Sequence, residues 1–205
     1  MKKLFSSLRK PSAGKKPVVI VSGLPRSGTS MMMKILAEGG LEAVSDAIRA
    51  ADGDNPNGYF EFERVKQMSA GDRAWVDEAG GKVVKVISAL LEHLPAHAQY
   101  KIIFMEREIA EVLASQKKML THRDEQNRIA DDEMEKEFRA HLAAVRPWLA
   151  RQPNMEILYV RYNDLIASPE PHCRRVADFL GGPLNLQKMI AVPSAQLYRN
   201  RRTES

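Results

Sequence analysis

Val18–Lys34 reads VVIVSGLPRSGTSMMMK. Val18 to Val21 are four consecutive β-branched residues, the composition of a short strand buried on both faces. Gly23–Ser30 follow as a turn dense in Gly, Pro and Ser, and Met31, Met32, Ile35 and Leu36 begin a helical repeat. A strand, a glycine-rich turn and a helix start aim backbone N–H groups and the positive end of a helix dipole at one place. That place suits phosphate. The Walker A loop is G-x-x-x-x-G-K-[ST]. Gly23 and Gly28 keep its spacing and Ser30 its hydroxyl, but Thr29 stands where a lysine would reach the outer phosphates of ATP. The loop therefore keeps a phosphate cradle while arguing against ordinary ATP or GTP hydrolysis. Arg26, inside the turn, offers replacement charge.

The 205 residues are 44% hydrophobic and 28% charged, enough for one α/β domain with a real core. The net charge of +5 is uneven: eight basic and no acidic residues precede Glu38, so the remainder carries −3. The excess sits in a tail and in the loop, which argues against a nucleic-acid partner. Residues 1–17 have too short an apolar centre for a secretory signal. They read as a flexible basic lead-in, or more sharply as a weak contact to an anionic membrane surface or RNA. No run approaches the roughly 20 apolar residues of a membrane span. The single cysteine, Cys173, excludes an internal disulfide and fits a reducing compartment, so the expected location is cytoplasmic. Residues 18–198 form the domain, and 199–205 a basic tail with Arg199, Arg201 and Arg202.

Further strands are expected at Lys82–Ile87, Lys101–Met105 and Glu156–Val160. A short helix is expected over Ala43–Ala51 and another over 108–121. A long one starts near Asp131, with Met134, Phe138, Leu142, Val145 and Leu149 as a core stripe and Pro147 in its last turn. Ser168 and Pro169 read as the N-cap and N1 of a helix that Gly181 ends. Asp72–Gly81 is polar and turn-rich, and His93, His97 and His141 read as surface residues. Strands alternating with helices imply a three-layer α/β/α domain with a mostly parallel central sheet, like the P-loop nucleoside-triphosphate hydrolases.

Other residues bear on chemistry. Asp52 and Asp54, in a DGDNPNG turn, lack the ligand order of an EF-hand. Glu61 lies among Tyr59, Phe60 and Phe62. A carboxylate against apolar rings loses hydration and holds a proton more readily, which suits a general base; pairing with Arg64 is the plainer alternative. Lys85 either faces solvent at a strand end or points into a site. Arg107 ends the third strand on the edge where open α/β sheets bind ligands, and Ser115 follows two helical turns later. Taken alone, Arg107 paired with Glu106 or Glu111 is the simpler account. Tyr162 reads as a packing residue after the fourth strand. Cys173 beside His172 lacks a second ligand pair for a metal.

The loop Gly23-Leu-Pro-Arg-Ser-Gly-Thr-Ser30 resembles the 5′-phosphosulfate loop of the sulfotransferases that use 3′-phosphoadenosine 5′-phosphosulfate (PAPS). Other motifs follow in that family's order, over roughly residues 18–182. Asn55-Pro-Asn-Gly-Tyr-Phe-Glu61 is similar to the N-P-x-G-[YF]-[FW]-E segment of bacterial members, Lys85…Pro95 to a K-T-H-L-P strand end, Arg107…Ser115 to R-x7-S, and Val160–Leu165 to V-x-Y-E-D-L. The resemblance implies PAPS as co-substrate, with no metal. Pro25, Arg26, Ser27, Gly28, Thr29 and Ser30 would surround its 5′-phosphosulfate, with Arg26 also catalytic. Lys85 would take the place of the lysine that steadies the bridging oxygen. Arg107 and Ser115 would grip the 3′-phosphate, Tyr162 would meet adenine, and Glu61 would be the base. Ile87 stands where cytosolic members carry a catalytic histidine, so their mechanism does not transfer whole. The implied activity is transfer of a sulfuryl group to a hydroxyl or amine on a small-molecule, glycan or lipid acceptor. A P-loop kinase of a small metabolite and a non-catalytic module binding PAPS or adenosine 3′,5′-bisphosphate are the alternatives.

Overall fold

The computed structural model describes residues 16–46, 58, 60–122 and 129–193. Strands β1 (Val18–Gly23), β2 (Val83–Lys85), β3 (Tyr100–Glu106) and β4 (Met155–Arg161) form one parallel sheet in the order β2-β1-β3-β4. Ile20 pairs with Val84 on one side and Ile102 on the other, and Ile102 with Ile157. The uninterrupted apolar run of β1 is explained by this central position, because both of its faces are covered.

Alternate side chains feed two cores. Ile20, Ile102 and Phe104 pack with Trp75, Leu91, Val145 and Leu149. Val19, Val21, Ile103 and Met105 pack with Met32, Ile35, Leu36 and Val176. Helices α1 (Thr29–Glu38), α5 (Tyr162–Ala167), α6 (Pro169–Leu180) and α7 (Leu186–Ala191) cover the second face. Helix α4 (Asp131–Leu149) and 3₁₀ turns at Met68–Ala70, Ala74–Glu78 and Ser88–His93 cover the first. Helix α2 (Glu63–Lys66) is one turn, and α3 (Ile109–His122) lies against α4. This is the expected three-layer α/β/α architecture. The chain passes from β1 out to β2 on one side and then crosses back over β1 to β3 on the other, so the strand order reverses beside β1. The resulting crevice opens at the carboxyl ends of β1 and β3.

Three expectations are corrected, and a fourth holds in position without the expected side-chain bond. Ala43–Asp46 is extended, not helical: Ala43 bridges Val83 in parallel, and Val44 N–H donates to the Val83 carbonyl at 2.9 Å. The rest of the expected helix, 47–51, lies outside the described residues. The polar stretch Asp72–Gly81 buries Trp75 and Val76 within a 3₁₀ turn, so it contributes to the core. His141 is half-buried, with Nε2 2.8 Å from Ser88 Oγ, where α4 meets the Ser88–His93 turn. Ser168 is the N-cap of α6 with Pro169 at N1, but its hydroxyl makes no capping bond. Gly181 does end α6, in the left-handed conformation.

Candidate functional site

The turn after β1 is built as the spacing implies. Arg26 has φ +66° and Gly28 φ +100°, and left-handed residues in a turn leave successive N–H groups on one side. Such a conformation costs a non-glycine residue about 1–3 kcal/mol, which the surrounding structure must offset at Arg26. Gly28 is the N-cap of α1 and makes no side-chain capping bond. The first-turn N–H groups of a helix have no partner within it. Pro25, Arg26, Thr29 and Ser30 line a cavity of about 500 Å³ in front of this end. Ser27 departs from its expected role. Its N–H donates to the Leu24 carbonyl at 3.2 Å, and its hydroxyl is turned back under Gly23, buried and without a partner. Ser27 shapes the turn, and its neighbours Pro25, Arg26, Thr29 and Ser30 line the cavity.

The residues after β3 come directly to this loop. Arg26 Nε donates to Ser115 Oγ at 3.1 Å, and Arg107 Nη1 donates to the Arg26 carbonyl at 3.1 Å. The loop and the Arg107/Ser115 pair are therefore one contiguous assembly. Arg107 is also paired, as the simpler account held: its Nε donates to Glu111 Oε2 at 3.0 Å, with the two side chains only 5% and 6% exposed. Asn163 Nδ2 donates to the other oxygen of Glu111 at 3.1 Å. Arg107 Nη2 is buried and has no hydrogen-bond partner. A buried guanidinium with a spare donor is a group prepared for an anionic oxygen.

Tyr162 supports this arginine. The Arg107 guanidinium lies 4.4 Å from the Tyr162 ring centroid, and a Cβ on Gly28 would meet Tyr162 Cδ2 at 2.4 Å. The ring is buried between the loop and the arginine, which is the packing alternative; its place in this structure is behind the site.

Glu61 and Lys85 complete the cavity on the side away from Arg107. Both line it together with Arg26, Thr29 and Ser30. Glu61 pairs with Lys66 at 3.2 Å, not with Arg64, whose guanidinium makes two bonds to Asp72 at 2.7 and 2.8 Å. Of the rings expected around Glu61, Phe62 meets Trp75 edge-on at 5.7 Å and Tyr59 lies outside the described residues; the carboxylate is 35% exposed. Tyr59 and Asn55–Asn57 of the Glu61 motif lie outside the described residues, as do Asp52, Asp54 and the C-terminal arginines. Phe60, preceding Glu61, has φ +47° and is the second described non-glycine residue in the left-handed region.

A model of the sulfotransferase family matches residues 59–185, more than half of the chain. The chain belongs to the sulfotransferase family. The matched span begins after the loop, so the family assignment and the loop's geometry are independent observations. No curated protein matches the chain in sequence. Among solved structures, the sulfotransferase domain of the Synechococcus PCC 7002 olefin synthase is similar at 14% identity and a TM-score of 0.50, over 95% of this chain and 84% of that one. The sulfotransferase domain from the curacin biosynthetic pathway matches at 14% identity and a TM-score of 0.49, over 93% and 80%. At these identities the likeness concerns the fold.

Several groups of this sulfotransferase were missed by sequence reasoning. Glu111 was legible only as a possible partner of Arg107, and Asn163 not at all, since it reaches Glu111 from 52 residues away. Met134 and Phe138, expected as core stripe, line the cavity with Ile87, Leu90 and Met119. A second cavity of about 600 Å³ opens on the other side of Arg107, between the ends of β3 and β4 and α4, with Arg139, Arg146, Arg161 and Asn163 on its walls. Among the described residues no group of three His, Cys, Asp or Glu is arranged for a metal, and no helix is long and apolar enough to cross a membrane.

Proposed function

We propose that the chain transfers a sulfuryl group from PAPS to a hydroxyl. The observation that supports this is the junction of Arg26, Ser115 and Arg107, which puts the turn after β1 in contact with the pair proposed for the 3′-phosphate. The 5′-phosphosulfate takes the N-terminus of α1, with the N–H groups around Gly28, Thr29 and Ser30 as donors. The 3′-phosphate takes the spare donor of Arg107. The nucleoside then extends toward the second cavity.

In the transfer step, the acceptor oxygen forms a bond to sulfur as the bond from sulfur to the bridging phosphate oxygen breaks. Charge gathers on that oxygen, and Arg26 and Lys85 lie on the cavity wall where a cation offsets it. Glu61, on the same wall, accepts the acceptor's proton. The absent Walker lysine is consistent with a donor that carries its charge at the 3′ as well as the 5′ position.

The test is thermal stabilisation by adenosine 3′,5′-bisphosphate compared with magnesium ATP. A ligand at 100 times its Kd adds about 2.7 kcal/mol, a readily measured shift. The bisphosphate is expected to stabilise and magnesium ATP not to. The reverse order would move the chain to the kinases. With PAPS and an acceptor, Glu61→Gln is expected to lose about 10²–10⁴-fold in kcat, the range of a positioned general base. Undiminished bisphosphate binding by that variant separates lost chemistry from lost fold.

A further inference from the structure

We propose that the acceptor is a neutral alcohol carried on an extended apolar body, and not a sugar or an amine. This rests on the sulfuryl-transfer reading above and names the substrate class of the same site. The cavity has two unlike ends. Its polar corner holds Arg26, Thr29, Ser30, Glu61 and Lys85. Away from that corner the wall is made by Phe62, Val65, Ile87, Leu90, Met119 and Phe138, which come from four separate parts of the chain. Ile87 is 39% exposed, one of two large apolar side chains so open among the described residues. It faces this concavity two residues after Lys85. An exposed apolar residue is ordinary when solitary, but here it continues an apolar wall into the corner where transfer occurs.

Among the described residues the wall offers a sugar little to bond: its polar members beyond the corner are Gln116, Glu137 and Lys66. The Gln116 amide is turned to Met134 Sδ at 3.2 Å, and Lys66 is held by Glu61 and Glu63 at 3.2 and 2.7 Å. Sugar hydroxyls entering this space would exchange water for apolar contacts, a cost of about 1–3 kcal/mol for each unpaired group. The charge argues against an amine. Arg26, Lys66 and Lys85 outnumber Glu61 and Glu137 on this wall, and that surplus of positive charge disfavours an ammonium group, whereas a neutral hydroxyl can give its proton to Glu61. A volume of about 500 Å³ lies within the range, about 300–1,000 Å³, of pockets that bury a drug-sized ligand.

The test uses the whole chain, PAPS, and 1-hexanol, 1-octanol and 1-decanol, with glucose and hexylamine as the opposing arms. Transfer is read as adenosine 3′,5′-bisphosphate formed, and binding of each alcohol is measured separately by calorimetry. kcat/KM is expected to rise by about fourfold per methylene, the equivalent of about 0.8 kcal/mol each. Ile87→Asp is expected to weaken 1-decanol by at least about tenfold, since it places an unpaired charge in the apolar wall. The same variant should keep wild-type stabilisation by the bisphosphate, which shows it folded. Transfer to glucose or hexylamine at a higher kcat/KM than to any alkanol overturns the proposal. So does an alcohol affinity that ignores chain length or Ile87→Asp. If 1-decanol binds through Ile87 and no sulfuryl group moves to it, the reaction assignment fails while the pocket keeps its apolar alcohol.

Discussion

Arg26 Nε and Ser115 Oγ, 89 residues apart, are hydrogen-bonded at 3.1 Å. The bond ties the turn after β1 to the second turn of α3, and Arg107 adds a second tie at the Arg26 carbonyl. The turn is thus tied in its left-handed shape by Ser115 and Arg107. On the proposed function, both phosphates of a bound nucleotide would act on the same assembly.

Ser115→Ala removes that tie without leaving a charge buried and unpaired, because Arg26 is only partly buried. A bond to a charged group is worth about 1.5–3 kcal/mol, so affinity for adenosine 3′,5′-bisphosphate should fall about tenfold or more. Calorimetric titration reads this directly. An unchanged affinity would place the junction outside the nucleotide site.

Arg107→Ala does more than remove a ligand contact. It takes the Arg107 guanidinium away from the buried Glu111 carboxylate, which Asn163 also bonds. Breaking a buried pair on one side typically costs about 3–5 kcal/mol. Urea unfolding of Arg107→Ala should show a loss of that size, and the double variant Arg107→Ala/Glu111→Gln should recover part of it. A loss under about 1 kcal/mol, the worth of a solvent-exposed pair, would mean the pair is not buried in solution. The preference for a 3′-phosphate should be absent from both variants, so the comparison separates binding from stability.

Gly28 and Gly40 have nearly the same positive φ, +100° and +102°, but different surroundings. A Cβ at Gly40 meets nothing within 4 Å, whereas one at Gly28 lies 2.4 Å from the Tyr162 ring. Gly40→Ala should therefore cost only the backbone strain, about 1–3 kcal/mol. Gly28→Ala should cost more, and Gly28→Ala with Tyr162→Ala should remove the excess. Equal midpoints in urea for the two single variants would show that the Tyr162 contact does not constrain the loop.

The strands and the loop were legible because each is written in local sequence. β1 is a β-branched run that only a doubly covered strand accommodates, and Gly23 to Ser30 carry the spacing of a phosphate turn. What was not legible comes from distance. Glu111 lies one helical turn from Arg107 and could be named as a partner, but Asn163 reaches it from α5. Glu61 looked enclosed by its own neighbours, yet Phe62 prefers Trp75 across the core. The apolar wall is invisible in any one segment, since Ile87, Met119 and Phe138 meet only after α3 and α4 pack. The stripe on α4 gave its period correctly but not its boundary: Val145 and Leu149 reach the core, while Phe138 ends in the cavity.

His141 supplies a pH signature for the packing of α4. Loss of hydration pushes its proton affinity below the ordinary histidine value of 6.5, while Glu92 pulls weakly the other way. In the unfolded chain the imidazole protonates near that ordinary value, so below it the unfolded state binds more protons than the native one. Stability must then rise with pH through this window and fall as pH drops from about 6.5 toward the lower folded value. His141→Asn keeps a polar partner for Ser88 but does not titrate. Its melting temperature should fall less steeply than that of wild type between about pH 7 and pH 5, with carboxylate effects common to both. Parallel curves over that interval would show that His141 is hydrated in the native state and that its contact with Ser88 does not close α4 over the Ser88–His93 turn.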